Sequence, residues 1–149
     1  MNIETIWGIK TLDEGFTIIP NIIIRNYRRL NISHGEWGLI CTLLTYKHDE
    51  RDPYPSQETL ASHLGVSVRQ IKKWVDGLVD KKLLIVGQRR NTKNNQYGNS
   101  VYNFKPLIQA ALKLVGPPEV MSDPAWEIRY RIPGVPEVPT EPSVPEAHL

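Results

Sequence analysis

Apolar positions recur at helical spacing over most of the first two thirds of the chain and switch to alternation in a few short places. Phe16 to Ile24, FTIIPNIII, reads as a short strand stopping at Pro20, with Asn21 placed to cap a helix running to about Leu30. Ser33 and Glu36 have the spacing of a capping box, in which each side chain satisfies an otherwise orphaned amide at the helix start. The helix they open carries Trp37, Ile40, Cys41 and Leu44 on one stripe, widened by Leu39 and Leu43, and is expected to be the most buried helix. It ends at KHDERDPYP, where the charges from Lys47 to Asp52 and the prolines Pro53 and Pro55 predict a solvated connecting loop.

The next segment, PSQETLASHLGVSVRQIKKWVDGLVDKKLLIV, is the most informative. Ser56 caps a short helix with Leu60, Ala61 and Leu64, and Gly65 ends it. Ser67, with Gln70 as its capping-box partner, opens a second helix that buries Ile71, Val75 and Leu78 and runs out near Lys81. Two short helices joined by a glycine-containing turn make a helix-turn-helix. Leu83 to Gly87 then reads as a strand, QRRNTKNNQYGNS as a long polar tip and Val101 to Lys105 as a returning strand, the order of a winged helix. Pro106 opens a last helix to Val115, with a stripe of Leu107, Ile108, Ala111, Leu112 and Val115.

The expected fold is therefore mainly α with a small β-hairpin: a winged helix-turn-helix, a short helix and a proline-rich tail. Residues 1–15 form an arm, 16–105 the winged domain, 106–115 an accessory helix suited to dimerisation, and 116–149 the tail. Eight of the 12 prolines fall in that tail, and its end, Gly134 to Leu149, is expected to be disordered or semi-stiff. WEIRYRI, Trp126 to Ile132, reads as a short strand, a docking segment or a linker.

Composition adds a charge distribution. Between Val66 and Lys105 nine Lys or Arg face two acids, Asp76 and Asp80, a local +7 in a chain whose net charge is +2. A basic segment between acidic flanks is the footprint of a polyanion-binding surface. No apolar run approaches a membrane helix and no secretory leader opens the chain, so a cytoplasmic protein is expected. Cys41 has no partner for a disulfide, and His34, His48, His63 and His148 are scattered, so neither metal, cofactor nor catalytic activity is expected. The acidic cluster HDERD at His48 to Asp52 reads as a solvated loop rather than a metal or catalytic site.

At about 100° per residue, Val68, Ile71, Val75 and Leu78 define the buried face of the second helix of the motif. Lys73 then points away from the core, with Arg69 and Gln70 beside it, Asp76 and Gly77 continuing that face, and Lys72 on the flank. Arg69 and Gln70 suit guanine and adenine edges in the major groove. Lys72 and Lys73 suit phosphates, as does Lys93 on the wing tip, and Ser67, Arg89, Arg90 and Asn94 complete the expected DNA-binding residues. Gly77 reads as a tolerated surface glycine or as room for a phosphate, and Trp74 as packing against the wing or the first helix.

Ile19 to Asn21, Tyr54 to Val75 (YPSQETLASHLGVSVRQIKKWV) and Asn99 to Phe104 resemble the helix-turn-helix family found at the N-terminus of phage and plasmid replication proteins and in some related bacterial regulators. The resemblance implies that the second helix of the motif enters the major groove. Lys82 stands where such proteins usually carry glycine, so the helix must end with another cap or a strained turn. The short remainder after the wing points to an origin- or promoter-binding protein rather than an initiator that melts DNA by itself. The expected function is sequence-specific binding of double-stranded DNA in phage or plasmid replication initiation, with a homodimer and a host replication protein, recruited through the tail, as partners. A transcriptional regulator and a protein-interaction adaptor are the alternatives.

Overall fold

The structure, a computed structural model, describes residues 1–116, 125–127, 129 and 131. Three of the seven residues of WEIRYRI and all of Gly134 to Leu149 lie outside the described residues. Residues 14–116 form one compact unit, and residues 1–13 belong to a second. In the second, Asn2 accepts from the amides of Glu4 and Thr5 at 3.0 and 3.3 Å and starts helix α1 (Ile3–Trp7), which buries none of its residues.

In the compact unit, helices α2 (Asn21–Asn26), α3 (His34–Leu44), α4 (Gln57–Leu64) and α5 (Val68–Asp80) precede an antiparallel hairpin of β1 (Ile85–Arg90) and β2 (Tyr97–Asn103), and α6 (Lys105–Leu112) follows. This is a mainly helical winged helix-turn-helix. Leu39, Ile40 and Leu43 of α3, Leu60 and Ala61 of α4, and Ile71, Val75 and Leu78 of α5 share one core with Leu83, Leu84, Tyr102 and Phe104.

The expected strand at Phe16 does not form. The only sheet among the described residues is the hairpin, so this segment has no edge to join, and Phe16 and Ile18 stay exposed. The helix that follows is capped by Pro20 rather than Asn21: the Pro20 carbonyl accepts from the Ile23 and Ile24 amides at 3.0 and 3.3 Å, which places Asn21 inside the first turn. The α3 stripe is also rotated from its expected centre. Leu39, Ile40 and Leu43 are buried, whereas Trp37, Cys41 and Leu44 are half-buried, because α4 and α5 cover the former face. Trp37 stacks instead on Tyr27, ring centroids 4.7 Å apart and planes within 9°. Burial pushes the Cys41 thiol pKa up, as suits a small hydrophobe rather than a nucleophile.

The wing is longer and its tip shorter than the apolar pattern predicts. Strand pairing extends through QRR and YGNS because a ladder needs only backbone groups, while Leu83 and Leu84 are buried before β1 begins. The loop after α3 is solvated only in part. His48 to Arg51 are exposed, but Pro53 is buried and its carbonyl accepts from the Tyr102 amide at 3.1 Å, on the side of β2 away from β1. The Asn103 amide also donates to the Asp52 carboxylate at 3.1 Å. The stripe of α6 divides: Leu107 and Ala111 are buried, and Ile108, Leu112 and Val115 are exposed.

A left-handed residue followed by a return to the core ends three of the helical segments. Asn31 (φ 64°) precedes fully buried Ile32, Gly65 (φ 65°) precedes half-buried Val66, and Lys82 (φ 60°) precedes buried Leu83. At the last, the Lys82 amide donates to Val79 O at 2.9 Å and the Leu83 amide to Leu78 O at 3.0 Å, a Schellman motif with its Leu83–Leu78 apolar closure. Lys82 thus resolves the missing glycine by adopting the strained backbone itself.

Helices α3 and α5 meet around a buried charge. The Ser33 hydroxyl accepts from the Glu36 amide at 3.1 Å, and the Glu36 carboxylate accepts from the Ser33 amide at 2.8 Å, completing the expected box. The same carboxylate, on a residue only 5% exposed, accepts from Lys81 Nζ at 2.5 Å, and that ammonium also donates to Asn31 O at 2.7 Å. Burial raises the Glu36 pKa, but Lys81 and the Ser33 amide outweigh it and hold the carboxyl below its ordinary value.

Two outcomes follow for stability. Lys82→Gly removes left-handed strain from an exposed side chain and should raise stability by about 0.5–1 kcal/mol net of glycine's entropy, read as a higher urea midpoint at unchanged slope. Lys81→Met leaves the Glu36 carboxylate buried without its counter-ion and should cost about 2 kcal/mol at pH 7, the upper range being discounted because the ammonium is partly solvated. Because the folded pKa of Glu36 is depressed, the pair's contribution is complete above pH 4.5 and is lost as pH falls through the lower folded value. The difference between wild type and variant should therefore narrow between pH 7 and pH 3. An undiminished difference at acid pH would show that only packing was lost.

Candidate nucleic-acid interface

Helix α5 starts at Ser67, whose hydroxyl accepts from the Gln70 amide at 3.1 Å. Only this half of the expected capping box is seen among the described residues. Gln70 instead faces an open hollow with Ser67, Arg69, Lys72 and Lys73. All five sequence-predicted residues of this helix therefore share one concave surface, of which Arg69, Lys72 and Lys73 are exposed and Gln70 half-buried. Asp76, Gly77 and Asp80 line its far part, with Ser33 and Glu36 from the start of α3.

Gly77 has neither of the roles expected for it. A Cβ there would overlap the Glu36 carboxylate, so its bare Cα is what lets the buried carboxylate sit between the helices. Gly35 repeats the arrangement from the other side: a Cβ at Gly35 would overlap the Trp74 indole. Trp74 packs, as expected, on the protein, but against the start of α3. Each helix gives up a side chain where its partner's large group arrives, which fixes the height of α5 above α3 and so the exposure of its basic face.

The remaining four predicted residues lie apart from the hollow, on the hairpin. Arg89 and Arg90 are exposed on β1, and Lys93 and Asn94 on the tip. The register carries a bulge, with Gln88 opposite Ser100 but Arg90 opposite Tyr97, so β2 holds one more residue than β1 beside Arg89. The Arg89 guanidinium carbon stands 4.0 Å from the centroid of the Tyr54 ring. Tyr54 is held in turn by the Asn99 side chain, which donates to its carbonyl at 3.2 Å. A cation–π contact of this kind orients a charge without neutralising it. The sequence reading missed Tyr54; its only signal was an aromatic residue between two prolines.

The tip is shaped by asparagines. Asn91 Oδ1 accepts from the Lys93 amide at 2.8 Å, Asn94 Oδ1 from the Gln96 amide at 3.0 Å, and Asn95 takes φ 59°. These local turns shape the tip on which Lys93 is exposed. Asn94 Oδ1 is engaged in the turn, while its side-chain amide nitrogen can still donate outward.

Residues 30–84 match the family model of a helix-turn-helix domain. The matched segment runs from the end of the α2 turn to the residue before β1 and leaves out the wing. Among solved structures, the N-terminal domain of DnaD protein from Geobacillus kaustophilus HTA426 is similar, with 18% identity and a TM-score of 0.54 over 76% of this chain and 90% of that chain. At that identity the likeness is one of fold. No curated protein matches. No helix among the described residues is long and apolar enough to cross a membrane, and among them no group of three His, Cys, Asp or Glu could hold a metal ion.

Gly77→Ala offers a direct test of the α3–α5 contact. On a free helix face alanine would gain about 1 kcal/mol over glycine. Here the methyl meets a carboxylate pinned by Ser33 and Lys81, so the substitution should instead cost about 1 kcal/mol. In a Glu36→Ala background the sign should reverse, a coupling that a double-mutant cycle measures.

Proposed function

We propose that this protein binds double-stranded DNA sequence-specifically, with α5 in the major groove and the hairpin following the backbone beside it. The single observation that carries the reading is the shared hollow on α5, where Ser67, Arg69, Gln70, Lys72 and Lys73 converge on the N-terminal half of the second helix of a helix-turn-helix. Arg69, in the first turn, reads a guanine edge and Gln70 an adenine edge, while Lys72 and Lys73 hold phosphates. The wing adds Arg89, poised on Tyr54, with Arg90, Lys93 and the Asn94 amide as further backbone contacts.

The biological setting we propose is replication initiation of a phage or plasmid. The protein marks an origin, and its acidic, proline-rich sequence after Gly116 recruits a host replication factor. Support comes from the family resemblance of YPSQETLASHLGVSVRQIKKWV, and the fold shared with the DnaD N-terminal domain is compatible with it. Footprinting on the encoding replicon tests the setting: repeated sites in a noncoding origin are expected, and a single promoter operator would make the protein a regulator instead. Pairing of two copies through the exposed residues Ile108 and Leu112 of α6 and Val115 just after it completes the proposal. Since Leu112 is 65% exposed, Leu112→Lys should lower the sedimenting mass without changing the melting temperature.

Base reading and phosphate holding separate experimentally. Arg69→Ala should cost about 1–3 kcal/mol on the selected site and relax preference at one or two base pairs. Lys93→Ala should weaken specific and scrambled duplexes alike and lower the salt slope by about one. Both side chains are exposed, so both variants should melt with the wild type; a sequence-neutral effect of Arg69→Ala would remove α5 from base reading.

A further inference from the structure

The exposed row of α5 changes sign along its length. Arg69, Lys73, Asp76 and Asp80 recur at the i, i+4, i+7 and i+11 positions of one helix, and all four line the same hollow. Cations occupy its first half and carboxylates its second. Asp76 is exposed, and although Lys72 and Lys73 lie one turn before it, no ion pair joins them among the described residues. Asp76 is thus the first carboxylate after the cationic half of the row.

Chemistry narrows what such a group does in a groove. A carboxylate accepts hydrogen bonds and donates none, and beside a phosphate it is repelled. The major-groove edge offers two kinds of donor, the amino groups of adenine and cytosine. Adenine sets its N7 acceptor next to the amino group, where it opposes a carboxylate, whereas cytosine sets no acceptor on that side. At 1.5 Å rise per residue Asp76 lies about 10 Å along the helix from Arg69, roughly three base-pair steps.

We infer that Asp76 is a specificity-determining residue that accepts a hydrogen bond from the amino group of a cytosine about three base pairs from the guanine read by Arg69. The inference rests on the proposed DNA binding. It makes α5 selective at two positions of its exposed row: Arg69 rewards one base, and Asp76 rewards another while penalising every site where no amino group meets it. Nonspecific affinity is the cost, since the same carboxylate repels duplexes that lack its partner.

Selection of bound duplexes from a random pool, run on the full chain and on Asp76→Asn and Asp76→Ala, tests this. Wild type should enrich a C·G pair two to four positions from the pair whose preference Arg69→Ala relaxes. Asp76→Ala should lose about tenfold of discrimination at that position, keep the Arg69-dependent pair and bind scrambled duplexes more tightly. Asp76→Asn should move the preference from cytosine to adenine, whose edge an amide matches with one donor and one acceptor. Both variants should melt with the wild type. If either substitution tightened all duplexes equally and left the selected site unchanged, Asp76 would be an electrostatic brake only and the inference would fall, with DNA binding intact. If wild type enriched no duplex and shifted none, the DNA-binding reading itself would fall.

Discussion

The buried ion pair between Glu36 and Lys81 is the constraint around which the rest is arranged. A carboxylate taken out of water needs compensating partners, and here the Ser33 amide and the Lys81 ammonium both donate to its Oε1. The ammonium, by also donating to Asn31 O, ties the turn before α3 to the end of α5. Two segments far apart in sequence are thereby held at one point, and Gly77 exists as glycine because that point leaves no room for a methyl. Such a pair adds little to stability compared with a hydrophobic filling, but its geometry is directional, so it sets register where leucines alone would slide.

Placement of the basic face follows from this register. With Glu36 under Gly77 and Trp74 over Gly35, α5 has one rotational setting against α3. In that setting Ile71, Val75 and Leu78 are buried and Arg69, Lys72 and Lys73 exposed. The left-handed stops at Asn31, Gly65 and Lys82 then return the chain to the core after each helical segment. At Lys82 the fold accepts strain in exchange for starting the wing where Leu83 and Leu84 can be buried. The wing is braced in the same economical way, by Pro53 on β2 and by Tyr54 under Arg89.

What the amino-acid order by itself determined was local: the caps at Ser33, Ser56 and Ser67, the stop at Gly65, the buried face of α5 and the concentration of positive charge after Val66. Each depends on side chains within one turn of each other, where spacing alone decides which groups meet. The five predicted residues of α5 fell on one surface for the same reason. What only the tertiary structure decided depends on partners distant in sequence. Phe16 to Ile19 has strand character but found no edge, and the polar QRR and YGNS became strands because each supplied the other's ladder. Gly77, read locally, looked like surface; its neighbour across α3 made it a packing requirement. Tyr54 and Lys81 carried no periodic signal, because a cation–π contact and a buried ion pair join groups 35 and 45 positions apart and leave no mark on either local pattern.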